Sequence, residues 1–178
     1  RIAHELEICI RVDLTGIGRV KVKLHRPIEG TVKQVSVKLN GDGHWYVAFA
    51  CADVSADLLP ATGASVGVDV GLKAFATLST GEEIANPRPF LRAQKRLADA
   101  HRRVARRKKR SARRRKAVQL LAKQSDRVAR VRRDFHHKTA LKLVQRFDVI
   151  KVEDLNILGL AAGMLAKHVL DAAWGMFF

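Results

Sequence analysis

The chain has 178 residues, of which 47% are apolar, so it is long enough for one domain or two small ones and too apolar for wholesale disorder. Lys and Arg number 34 against 17 Asp and Glu, a formal charge of +17 with a pI near 10.8, which points to a polyanionic partner. Two cysteines, Cys9 and Cys51, write neither a zinc ribbon nor a disulfide scaffold, and no apolar run is long enough to span a membrane.

The first residues, RIAHELEI, lack the order of a signal peptide and an initiator Met, and the last residues are WGMFF. Both ends look like cuts, and a fragment of a longer protein is expected. Residues 1–58 read as a small β-rich, barrel-like domain. Ile8, Ile10, Val12 and Leu14 alternate with polar neighbours, and Val20, Val22 and Leu24 resume the alternation after Gly16 and Gly18. The set Val35, Val37 and Leu39 pairs naturally with Trp45, Val47, Phe49 and Cys51 across the hairpin loop Asn40-Gly41-Asp42-Gly43. Four strands of period two suggest a small barrel or curled sheet, with both cysteines as small buried hydrophobes. A joint follows around Pro60 and Gly63, the linker proper being 59–64.

The second domain is expected over 65–178. Ser65–Val70, Lys73–Ser79 and Glu82–Ala85 predict a three-stranded antiparallel meander. Pro87 and Pro89 then open a helical region that runs over residues 90–146 without Pro or Gly. Leu97 and Val104, then Leu121, Val128 and Phe135, fall seven apart in a narrow seam. Ser111 suits an N-cap, so the spacing predicts two antiparallel helices with a hinge near Lys109–Ala112. Phe147–Val152 reads as a fourth, parallel and central strand, and a helix is expected within Leu160–Phe178.

The charge is localised. Residues 92–133 carry 19 Lys and Arg against Asp99 and Asp126 alone, so this segment holds the whole excess. Its densest block is Arg102, Arg103, Arg106, Arg107, Lys108, Lys109, Arg110, Arg113, Arg114, Arg115 and Lys116. A solvated helix face normally mixes signs. Eleven cations with no acid repel one another unless a polyanion binds them, and they can track a phosphate backbone without reading sequence.

Two acids stand apart. Asp69 interrupts an apolar strand (SVGVDVG), and Glu153 follows another (IKVED). A carboxylate in a β-branched run needs a partner or a metal. If the strands are neighbours, both can face one point and form part of a two-Mg²⁺ site for phosphodiester hydrolysis. Gly71 would let a phosphate backbone approach closely. The order of strands, helices and acids is that of a ribonuclease-H-like fold. The residues alone equally allow Asp69 to start a turn and Glu153 to cap a helix.

GVDVGLKAFATLSTGEEIANPRPF, the basic helices and RRDFHHKTALKLVQRFDVIKVEDLNILGL together resemble the TnpB/OrfB nucleases of insertion-sequence transposons, relatives of type V CRISPR effectors. HRPIEGTVKQVSVKLNGDGHWYVAF resembles the wedge domain that precedes their nuclease, so the match covers roughly residues 20–178. The resemblance implies an α/β, RNase-H-like (RuvC) mixed sheet with an inserted basic helical hairpin behind a β-rich wedge. It implies an RNA-guided, Mg²⁺-dependent DNA endonuclease, cytoplasmic and nucleoid-associated, with guide RNA and target DNA as partners and no membrane or small-molecule substrate. Asp69 and Glu153 match the family's first and second catalytic, metal-binding carboxylates. The hairpin would lie near the guide–target heteroduplex. The third carboxylate, the four-cysteine zinc ribbon and most of the N-terminal helical lobe have no counterpart in these residues, so this chain is expected to be inactive alone.

The remaining signals are smaller. His25 and Arg26 match a wedge segment near guide RNA, and equally read as surface residues of a turn. Of His136 and His137, one is expected to pack or contact phosphate. Trp45, Trp174, Phe75 and Phe147 read as core rather than base-stacking residues. Asp154 has at most a supporting part, and Asn156 suits a helix cap. Asp171, in HVLDAAWGMFF, reads as an exposed helix residue rather than a third acid. Two readings of other classes stay open: a non-catalytic, guide-dependent DNA-binding repressor, and a plain basic RNA-binding protein.

Overall fold

The structure is a computed structural model that describes residues 8–41, 43–55 and 58–178. The first residues, Asp42 of the hairpin loop, and Ala56 and Asp57 lie outside the described residues. The chain divides into two compact units, Arg1–Leu58 and Leu59–Phe178.

The first unit is built from two antiparallel ribbons. Strands β1 (Ile8–Leu14) and β2 (Gly18–Leu24) pair with Ile10 opposite Val22 and Val12 opposite Val20. Strands β3 (Thr31–Leu39) and β4 (Trp45–Ala52) form the expected hairpin and bring the two apolar sets together, with Val35 opposite Phe49, Val37 opposite Val47 and Leu39 opposite Trp45. Gly30 has φ +74, and a Cβ there would run into the Ala52 carbonyl oxygen, so the approach to β3 requires glycine.

The expected barrel is not formed among the described residues, because the ribbons are separate two-stranded sheets. Val22, Leu24, Val47, Phe49 and Cys51 instead line an open cavity of about 620 Å³. Period-two alternation specifies which side of a ribbon is apolar; it does not specify closure, which needs tilt and register around a ring. Two further expectations fail for the same reason. Trp45 is 67% exposed rather than core, and Cys9 is exposed rather than buried.

The second unit is α/β. Strands β5 (Ser65–Val70), β6 (Ala74–Leu78) and β7 (Glu83–Ala85) form the predicted meander. Helices α1 (Pro89–Ala105) and α2 (Ala112–Val144) follow, then strand β8 (Val149–Val152), helices α3 (Ile157–Ala161) and α4 (Ala166–Ala172), and a 3-10 turn at Trp174–Met176. The strand order is β7-β6-β5-β8, with β8 parallel to β5. β8 is therefore an edge strand of the described sheet rather than a central one, and Val149 and Val152 remain about half exposed.

The core joins Val66, Val68, Ala76 and Leu78 of the sheet to Leu143, Phe147, Val169, Ala172 and Trp174. Phe75, fully buried, meets Phe135 and Phe177 edge-on with centroids 4.9 and 5.1 Å away. The seam residues Leu97 and Val128 are buried where the two long helices pack. Ser111 caps α2 by accepting the Arg114 N–H at 3.1 Å, and Asn156 caps α3 by accepting the Gly159 N–H at 2.9 Å.

The stretch read as a linker is tied down at its end. Asp148 accepts the Thr62 N–H, the Thr62 hydroxyl and the Gly63 N–H, at 2.7–3.0 Å. The Ala64 carbonyl accepts the Asp148 N–H at 2.9 Å, which sets the start of β8 beside β5.

Candidate functional site

The parallel register determines where the two singled-out acids stand. Val68 pairs with Val152, and Asp69 and Glu153 are each the next residue along. Both lie at the same register level, at the C-terminal ends of neighbouring parallel strands. Along β5, Val66 and Val68 enter the core, so Asp69 alternates onto the other side of the sheet, where it is exposed. Glu153 is also exposed. Among the described residues, no group of three or more His, Cys, Asp and Glu side chains is assembled for a metal. The arrangement offers two hard oxygen donors at one strand end.

The loop after Asp69 is tight. A Cβ on Gly71 would meet the Ala74 carbonyl oxygen at 3.3 Å, so glycine here relieves crowding within the turn itself. Asn86 and Arg88, from the far end of the meander, donate to this loop's carbonyls.

The basic hairpin is placed by α1 and α2. Of its eleven cations, Arg103, Arg106, Arg107, Lys108, Lys109, Arg110, Arg113, Arg115 and Lys116 are exposed and form no ion pair with an acid among the described residues. Arg102 pairs with Asp99 at 2.8 Å. Arg114 is half-buried and donates to the carbonyls of Val104 at 2.9 Å and Arg107 at 3.5 Å, so its guanidinium closes the hinge between the helices. Arg110 occupies the hinge with φ 65.

Asp171 corrects the sequence reading. It is 3% exposed and accepts the backbone N–H groups of Phe90 and Leu91 at 2.8 and 3.1 Å. Arg132 donates to its carbonyl at 2.9 Å and approaches its carboxylate at 3.4 Å. The residue before α1 provides no side-chain cap, so Asp171 satisfies the orphan donors of a helix 81 positions earlier. The only sequence signal was an acid inside an otherwise apolar helix face.

His136 is buried, and one ring nitrogen, Nε2, lies 2.9 Å from the Ala172 carbonyl, to which it donates. Burial lowers its pKa below the ordinary 6.5; the Ala172 contact opposes this, and the charges of Arg132 and His137 add to it. Of the two adjacent histidines, it is the one that packs. Asp148 is held below the ordinary carboxylate range, first by the backbone N–H of Thr62 and then by Gly63. In the first unit, His25 and Arg26 are exposed at the rim of the cavity, beside Lys23 and Ile28.

Taken together, the second unit is an α/β body with two carboxylates at one strand end and a cationic helical hairpin. Residues 50–163, more than half of the chain, match the OrfB_IS605 family, described as "Probable transposase". The chain belongs to this family. It is 38% identical over 156 residues to a "Putative RNA-guided DNA endonuclease" of Streptomyces pristinaespiralis, covering 86% of this chain and 39% of that protein. It is 29% identical over 181 residues to the "Putative RNA-guided DNA endonuclease InsQ" of Escherichia coli K12, covering 92% of this chain and 44% of that protein. The chain therefore spans about two-fifths of the length of these curated relatives. No helix among the described residues is long and apolar enough to cross a membrane.

Proposed function

We propose that this chain contributes the wedge and the first part of a RuvC-type, RNase-H-like nuclease to an RNA-guided DNA endonuclease. The observation that carries the reading is the parallel pairing of β5 with β8, which sets Asp69 and Glu153 at one level on neighbouring strand ends. The names of the relatives support guide RNA and target DNA as partners.

Asp69 and Glu153 would hold Mg²⁺. This ion is commonly bound by one or two carboxylates together with water and substrate phosphate oxygens, and two exposed hard donors suit such a set. When bound, Mg²⁺ supplies a Lewis acid that stabilises negative charge at a phosphodiester. The exposed side of the strand ends leaves room for a phosphate to approach both carboxylates. The hairpin cations hold the nucleic-acid backbone without reading its sequence, and target choice falls to guide pairing.

The test uses the intact protein with its guide RNA. Asp69→Ala and Glu153→Ala should each abolish Mg²⁺-dependent cleavage and leave target affinity nearly unchanged. Cleavage that survives Asp69→Ala would refute the site. A parent protein that binds guided targets but never cuts them would favour the repressor reading, and binding without any guide would favour a plain RNA-binding protein.

A further inference from the structure

We propose that Asn86 and Arg88 are positioning residues for Asp69: they hold the loop behind this carboxylate by its backbone carbonyls and so set the height at which it leaves the strand. The inference rests on the reading of Asp69 as a metal ligand, and it adds two residues to that site.

β5 and β6 are connected by a short loop, and the last pair before it is Val70 with Ala76. Inside the loop, Gly71 donates to the Phe75 carbonyl at 3.1 Å. The carbonyls of Leu72 and Lys73 belong to no strand ladder. Arg88 Nη2 donates to Leu72 O at 3.1 Å and to Lys73 O at 3.4 Å. Asn86 Nδ2 donates to the same Leu72 carbonyl at 3.4 Å. Asn86 Oδ1 in turn accepts the Arg88 N–H at 3.1 Å, so the two holding residues also hold each other. The loop they grip begins two residues after Asp69.

The backbone at Arg88 points the same way. Its φ and ψ are 46 and 56, the left-handed region, which an arginine rarely adopts. The residue before a proline normally takes an extended conformation, and Pro89 follows directly. Capping does not explain the conformation, because Arg88 makes no side-chain cap and Asp171 serves the first turn of α1. Strained residues of this kind persist where the surroundings over-determine them, and they gather at functional sites. Here the left-handed turn is accompanied by a guanidinium on two carbonyls beside the candidate site. One terminal nitrogen, Nη2, serves both carbonyls, and the rigid guanidinium plane fixes the direction of its two N–H groups, whereas a lysine ammonium turns freely on its flexible stem. Arg88 also opens the helix that leads into the cationic hairpin, so one residue links the entry of the nucleic-acid-holding element to the carboxylate strand.

Glycine at position 88 separates the side chain from the backbone, since it accepts the positive φ without strain while removing the guanidinium. The experiment compares Arg88→Gly, Arg88→Lys and Asn86→Ala with the parent in the intact protein. The first readout is amide hydrogen exchange over residues 71–75. The second is the Mg²⁺ concentration that half-saturates guided cleavage. Arg88→Gly should keep the parent melting temperature, speed loop exchange, and raise the Mg²⁺ requirement severalfold, less than the roughly tenfold or greater loss expected for a partner bonded directly to a metal ligand. Arg88→Lys should recover only part of either effect, and Asn86→Ala should shift both in the same direction as Arg88→Gly. A loop that exchanges at the parent rate, or an unchanged Mg²⁺ requirement, overturns the proposal. If Asp69→Ala still cleaves, the metal reading fails and this inference fails with it. If Asp69→Ala is inactive while Arg88→Gly matches the parent, only the positioning role is lost.

Discussion

A carboxylate that is 3% exposed must be hydrogen-bonded or neutralised, and Asp171 meets both conditions through two helix N–H groups and Arg132. Removing it orphans two donors and leaves a guanidinium whose side chain is only 19% exposed without its acid. Asp171→Ala should therefore destabilise the second unit by roughly 3–5 kcal/mol, read from urea unfolding, whereas Asp154→Ala, at an exposed position, should change it by less than about 0.5 kcal/mol. His136 adds a pH dependence. Its folded pKa lies below 6.5, so the unfolded chain takes up a proton first as the solution is acidified. Its contribution is fully present above pH 6.5 and is lost as pH falls from there toward the folded pKa. His136→Phe should flatten the unfolding free energy across that window, and an unchanged slope would remove His136 as its source.

At the scale of elements, the hairpin cations fall into two structural groups, exposed ones with no acid partner among the described residues and Arg114, which is engaged with backbone carbonyls. Replacing Arg103, Arg106, Arg107 and Arg113 with Ala should make the dependence of log affinity on log salt shallower by about three to four units on duplex DNA. Arg114→Ala should instead loosen the hinge, lowering the melting temperature with little change in slope, because its guanidinium is engaged with the carbonyls of Val104 in α1 and Arg107 in the hinge. Salt titrations of the two variants separate these groups. The division was not legible in the sequence, where eleven cations in one block look alike. What was legible came from short-range signals: the alternation that joins the apolar sets of β3 and β4, the serine that caps α2, the prolines that open α1. Asp69 and Glu153 could be singled out because acids stand out in apolar strands, and their common level then followed from one parallel register. Asp171, Arg132 and Arg88 were misread or passed over because their partners lie 15 to 81 positions away. The exposure of Trp45 was hidden for another reason, since alternation names a face and not its cover.

For the molecule as a whole, the charge excess lies in the hairpin, and the remainder is close to neutral. Neutral surfaces tolerate association, and β8 offers a strand edge without a partner strand among the described residues, with Val149 and Val152 about half exposed beside it. Leu158 and Met164 add further apolar surface. Repulsion between hairpins opposes self-association only at low salt, because added ions screen it within about 10 Å at 0.1 M. Light scattering of this chain should therefore rise with salt and concentration. Val152→Lys on β8 should suppress that rise, and a rise that persists would place the contact elsewhere.

The capping of α1 by Asp171 also bears on the order of synthesis. Phe90 leaves the ribosome 81 residues before the carboxylate that completes the first turn of its helix. At about 5–20 residues per second, the interval is roughly 4–16 s. For most of that time the most cationic stretch of the chain is outside the tunnel, on a helix pair not yet capped at its base. A nascent helix pair that is incomplete at its base until α4 emerges gains its final orientation only after translation has passed the four described strands of the second unit, which makes residue 171 the point at which the newborn hairpin can be set in place.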